Sequence, residues 1–91
     1  MAGDTVETRD ERLKRLYYRS KYTGTKETDL VLERFARDHL PNLSDAELDL
    51  YEEILEVGDP EIFAWVMKQK PVPVEYQNTV TELIIKTNLF D

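Results

Sequence analysis

Cysteine is absent from this 91-residue chain, which excludes disulfides, thiolate metal sites and cysteine nucleophiles together. Glycine is scarce, with three in all, and a phosphate-cradling loop or a dinucleotide fingerprint needs several, placed after a strand. Histidine occurs once, as His39. Late in an apolar helical stripe and without an identified partner, it reads as a packing or capping residue before it reads as a general base. No run approaches the roughly 20 apolar residues that a membrane-spanning helix requires. The first eight residues, Met1 to Thr8, are polar and acidic. They lack the apolar stretch of a secretory signal and the Arg-rich, acid-poor character of a transit peptide, so the expected location is the cytoplasm of a bacterium.

What the chain has in abundance is charge, unevenly spread. Between Arg9 and Lys26 stand Arg9, Arg12, Lys14, Arg15, Arg19, Lys21 and Lys26 against only Asp10 and Glu11, a local balance of +5 in a molecule whose net charge is −7. From Ser44 to Glu61 the acids Asp45, Glu47, Asp49, Glu52, Glu53, Glu56, Asp59 and Glu61 meet no basic residue. Such asymmetry orients a partner, or else Arg12, Arg15 and Arg19 form a solvated face paired to acids of that later run; the two readings are compatible. The acidic run reads as a solvated helix face, because it lacks the glycine-punctuated loop that wraps ligands round calcium. A basic segment interleaved with Tyr17, Tyr18 and Tyr22 has the composition of a nucleic-acid surface, but a pI near 4.7 repels a polyanion from most directions, and no nucleic acid is expected.

The periodicity is helical throughout. Leu13, Leu16, Tyr17 and Ser20 mark one face of a helix over about Arg9 to Lys21, and Leu32, Phe35, Ala36, His39 and Leu40 mark a second that Pro41 ends. Ser44 followed by Glu47 is a capping box opening a third, which buries Leu48, Tyr51, Ile54 and Leu55 and stops near Gly58. Asp59 and Pro60 read as cap and first residue of a fourth, carrying Ile62, Phe63, Trp65, Val66 and Met67. Trp65 fits either a core or an exposed interface anchor. A stiff Pro71-Val72-Pro73 connector leads to a fifth stripe of Tyr76, Val80, Leu83, Ile84 and Thr87. Only Thr79 to Ile85, rich in β-branched residues, offers a strand as the alternative. The expectation is an all-α, compact five-helix bundle: a flexible tail over residues 1–8 and a single helical domain over 9–91.

The turn Tyr22-Thr23-Gly24-Thr25-Lys26-Glu27-Thr28-Asp29 joins the basic helix to the second one. Locally, Gly24 supplies a positive φ and Glu27 caps the helix start. The order of motifs says more. A basic first helix, this turn, a Phe35-Ala36 pair, Leu43-Ser44-Asp45-Ala46-Glu47, then Asp59-Pro60-Glu61-Ile62-Phe63-Ala64-Trp65 and Lys70-Pro71-Val72-Pro73 together resemble the SdhE family over Arg12 to about Lys86. That resemblance implies a non-catalytic assembly factor, with no stably bound cofactor of its own. It would bind the succinate dehydrogenase flavoprotein subunit and promote covalent attachment of FAD, the cofactor of that client. Fumarate reductase flavoproteins would be related clients, and the free factor a monomer.

The family's Arg-Gly-x-x-Glu motif maps onto Thr23 to Glu27, with Thr23 where arginine is usual. Gly24, Glu27 and Asp29 carry over as partner-binding residues; Arg19 or Lys21 would supply the missing charge, with Arg15 on the same helix. Three other readings compete. One is an acidic helical adaptor using the third helix, another a diverged paralogue that has lost its client, and the last a small enzyme built on Glu27 and His39.

Overall fold

The computed structural model describes residues 7–87. Within them lie five α-helices and no strand: α1 (Arg9–Ser20), α2 (Lys26–His39), α3 (Asp45–Val57), α4 (Glu61–Val66) and α5 (Thr79–Lys86). Short 3-10 turns at Leu40–Asn42 and Val74–Tyr76 complete the chain. The all-α bundle expected from periodicity is what forms.

Four of the five helices, α4 excepted, start where a side chain can satisfy an orphan amide. Thr8 and Glu11 close a reciprocal capping box on α1, with Glu11 N–H donating to Thr8 Oγ1 (3.1 Å) and Thr8 N–H to Glu11 Oε1 (2.8 Å). Ser44 and Glu47 do the same on α3 (3.1 and 2.9 Å), as the sequence predicts. Thr25 caps α2. Asn78 caps α5 by accepting from Thr81 N–H at 3.0 Å. That cap settles Thr79 to Ile85 as helix, with Val80, Thr81 and Ile84 turned inward. At Pro41 the α-helical ladder loses a donor, and the last turn tightens to 3-10 geometry.

The stripes named by spacing meet in one core. Leu16 from α1, Leu32 and Phe35 from α2, Leu48, Tyr51 and Ile54 from α3, Ile62 and Trp65 from α4, and Val80 and Ile84 from α5 are all buried. Trp65 is thus a core residue; Tyr76, on the 3-10 turn before α5, stacks against it at 5.5 Å between ring centroids. His39 is half-buried and stacks on Phe35 at 5.3 Å, a packing role.

One junction departs from expectation. α3 ends at Gly58 with φ +73, and α4 begins after a cis Asp59–Pro60 peptide with Pro60 at its N-cap and no side-chain cap. The Asp59 carboxylate leaves the helix it precedes and crosses to the start of α2.

The expected tail falls outside the described residues for positions 1–6. Of the remaining two, Thr8 caps α1 and Glu7 pairs with Arg15.

Candidate partner-binding site

The turn between α1 and α2 is built by hydroxyls closing on two carboxylates. Thr23 donates both its N–H and its hydroxyl to Asp29 Oδ1, each at 2.6 Å. Thr25 donates its N–H and its hydroxyl to Asp59 Oδ2, each at 2.9 Å, and the Thr28 hydroxyl donates to Asp59 Oδ1 at 2.5 Å. Thr28 is buried at 1% exposure, so its hydroxyl needs that acceptor.

Gly24 lies between the two carboxylates with φ +149, a conformation side-chain-bearing residues avoid. A Cβ at this position would stand 3.1 Å from Asp59 Oδ2. The glycine therefore serves both the backbone angle and the close approach of the turn to Asp59.

Outward, the turn presents Lys26 and Glu27, both exposed and without a partner among the described residues. Cap duty at α2 falls to Thr25, so Glu27 is free of the structural role that its position suggested. Beside the turn, Tyr18 and Tyr22 are each 65% exposed, with their rings 4.9 Å apart. Lys21 lies over the Tyr17 ring at 5.4 Å, and the Tyr17 hydroxyl donates to Glu33 at 2.5 Å. That hydrogen bond to Glu33 holds the Tyr17 phenol above its ordinary range.

The arginines of α1 are committed elsewhere. Arg9 pairs with Asp45 (2.8 Å), Arg12 with Asp49 and Glu52 (2.5 and 2.8 Å), Arg15 with Glu7 and Glu52 (2.7 and 3.1 Å), and Arg19 with Glu56 (3.1 Å). Arg9 also donates to the Leu43 carbonyl. The ladder runs start to start and end to end, so α1 and α3 lie side by side in the same direction. Arg15, and Arg12 behind it, hold the Glu52 carboxyl below its ordinary range against the opposing effect of burial. Arg15 likewise lowers Glu7. Among the described residues, no cluster of acids and histidine is arranged to hold a metal ion.

Of the residues singled out by sequence, Thr23, Gly24, Glu27 and Asp29 meet in one turn. Lys21 caps the end of α1 next to it, while Arg15 and Arg19 face α3. The clamp of Asp59, from the α3–α4 junction, on Thr25 and Thr28 of the turn was not anticipated. An Asp before a helix has a local explanation as a cap, and nothing along the chain signals an acceptor 34 and 31 residues from its donors. The available hint was chemical: three threonines around one glycine bring hydroxyls that need acceptors.

A family model described as "flavinator of succinate dehydrogenase" matches residues 14–88, the turn included. The chain is similar to "succinate dehydrogenase assembly factor 2, mitochondrial" of Mycosarcoma maydis, 40% identical over 77 residues that cover 85% of this chain and 32% of the relative. The protein of that name in Meyerozyma guilliermondii is 40% identical over 78 residues, 82% of this chain and 58% of the relative. The one in Dictyostelium discoideum is 38% identical over 71 residues, 78% and 50%. This chain therefore spans about a third to three-fifths of the length of these relatives. No solved structure matches it.

These relatives correct one expectation, the bacterial cytoplasm: they are mitochondrial proteins of eukaryotes. The composition of eight residues at one edge of a chain shorter than its relatives carries no address. No helix among the described residues is long and apolar enough to cross a membrane.

Proposed function

Because the chain belongs to the flavinator of succinate dehydrogenase family, we propose that it binds the succinate dehydrogenase flavoprotein subunit through the α1–α2 turn and promotes covalent attachment of FAD to that subunit. The observation that carries this reading is the family match over residues 14–88, with the turn inside it. The chemistry of the linkage belongs to the client and its FAD. The chain adds a surface: Glu27 and Lys26, without a partner among the described residues, flanked by the exposed Tyr18 and Tyr22.

A helper of this kind works by preferring one client conformation. It shifts the client's equilibrium only by the margin with which it binds the competent state better than the others. Turnover by the isolated chain is no part of the proposal. Thr23 stands in for the family arginine, and its hydroxyl and amide are spent on Asp29, so cationic contact with the client falls to Lys21 and Lys26.

The test is covalent flavin in the flavoprotein subunit, read as fluorescence after a denaturing gel, from cells lacking this protein and from cells rescued with wild type, Gly24→Arg or Glu27→Ala. Loss in the deletion, return with wild type, and failure of the two variants at normal abundance are expected. Full flavinylation in the deletion strain overturns the proposal.

A further inference from the structure

We propose that Asp59 is a positioning residue for client binding, its carboxylate holding the α1–α2 turn in the single geometry that presents Glu27. The proposal rests on the assembly reading above and goes beyond it by assigning a role to a side chain outside the turn.

Asp59 sits at the α3–α4 junction, where a local role was open to it and is not taken. The helix it precedes starts on Pro60 with no side-chain cap. Both carboxylate oxygens instead accept from the start of α2: Oδ2 from the amide and hydroxyl of Thr25, Oδ1 from the buried hydroxyl of Thr28. On the other flank of Gly24, the amide and hydroxyl of Thr23 end on Asp29. These inward-facing donors of the turn thus close on two carboxylates, and the side chains left over, Lys26 and Glu27, face solvent.

Between residues 21 and 28 only Thr28 is buried, so apolar packing gives this segment little order. Charge-assisted hydrogen bonds are left to supply it. Gly24 completes the device, because any Cβ there would meet Asp59 Oδ2 at 3.1 Å.

The requirement is for a carboxylate and not for a shape. All three groups facing Asp59 donate. An asparagine of the same outline offers one acceptor oxygen and turns an NH2 group toward the donors left over. A turn released from the clamp spreads over several conformations, and affinity for the client falls by the fraction that remains competent.

The experiment measures binding of purified flavoprotein subunit to the full chain as wild type, Gly24→Arg, Asp59→Asn, Asp59→Ala, Thr28→Val, Glu27→Ala and the double variant Asp59→Asn with Glu27→Ala. In parallel, amide hydrogen exchange at Thr25 is followed on the free proteins. Asp59→Asn and Asp59→Ala are each expected to weaken binding by about tenfold or more while urea unfolding followed by Trp65 fluorescence stays cooperative. Thr25 exchange accelerates in both. The double variant is decisive: if Asp59 acts by placing Glu27, adding Asp59→Asn to Glu27→Ala lowers affinity far less than it does in wild type.

Additive losses in that cycle, or unchanged exchange at Thr25, overturn the positioning role. So does wild-type affinity in the Asp59 variants when Gly24→Arg has lost binding, and this outcome leaves the assembly reading intact. Thr28→Val keeps the side-chain volume and removes one donor, so it carries the test should the Asp59 variants fail to fold. Absence of binding by wild type itself sinks the assembly reading and the positioning role with it.

Discussion

Ser20 is the small polar residue at the centre of the core, and its single hydroxyl serves two partners. It donates to the Leu16 carbonyl at 2.7 Å and accepts from the Tyr51 hydroxyl at 2.5 Å. Tyr51 is fully buried and stacks on Phe35 at 5.1 Å, so no water replaces that acceptor. The two ends of the bond are therefore unequal. Ser20→Ala strands the phenol and should cost about 1–3 kcal/mol, whereas Tyr51→Phe leaves Ser20 bonded to Leu16 and should cost about 0.5–1.5 kcal/mol. Urea denaturation of both variants checks the order, and a larger loss in Tyr51→Phe contradicts it. Burial also pushes the Tyr51 phenol above its ordinary value of 10. Its neutral form is favoured in the fold, so that stabilisation is complete below pH 10 and lost as pH rises further; Tyr51→Phe should lack this alkaline loss. Spacing alone places Ser20 and Tyr51 on inward faces. Their bond was not legible, since 31 residues separate them and no periodicity reports which inward residues meet.

Elements obey the same division between local and distant causes. The α3 capping box and the break at Pro41 could be read in advance because each depends on residues within four positions. The pairing of Arg12, Arg15 and Arg19 with acids of α3 was one of two readings open in the sequence and is the one that forms; which arginine meets which acid needs the register of two helices far apart in sequence and was not legible. Glu52 is the centre of the ladder, taking both Arg12 and Arg15, with 29% of its side chain exposed, against 73% for Glu56 at the far end. Glu52→Gln should therefore cost about 1 kcal/mol near neutral pH, and Glu56→Gln no more than about 0.5 kcal/mol, as for exposed pairs. The pH dependence follows from sign. Arg15 lowers the Glu52 carboxyl from its ordinary 4.5, so its contribution is present above pH 4.5 and lost as pH falls through the lowered value. Urea midpoints taken from pH 7 down to pH 3 should fall more steeply in wild type than in Glu52→Gln. Parallel acid limbs in the two proteins are the contrary result.

At the scale of the whole molecule, the ladder changes what the charge asymmetry means. The first helix and its turn carry +5 by sequence, which suggests a basic arm offered to a partner. In the fold Arg9, Arg12, Arg15 and Arg19 turn toward α3 and are neutralised there, which also occupies Asp45, Asp49, Glu52 and Glu56. An adaptor reading that needs those acids for a basic partner loses most of them. The positive charge still facing outward near Gly24 is lysine: Lys26, without a partner among the described residues, and Lys21 over the Tyr17 ring. Attraction at this turn, in a protein of net charge −7, then comes chiefly from these two, and attraction of this kind acts on the association rate. Lys26→Glu is expected to slow association with the proposed client, the flavoprotein subunit, by about 3- to 10-fold at low salt, the effect fading toward 1 M salt, where the screening length is roughly 3 Å. Arg15→Ala should lower the unfolding midpoint and leave the association rate near that of wild type. Stopped-flow association at two salt concentrations separates the cases: equal slowing by both substitutions means that the ladder opens in the complex, and the arginines face the client after all.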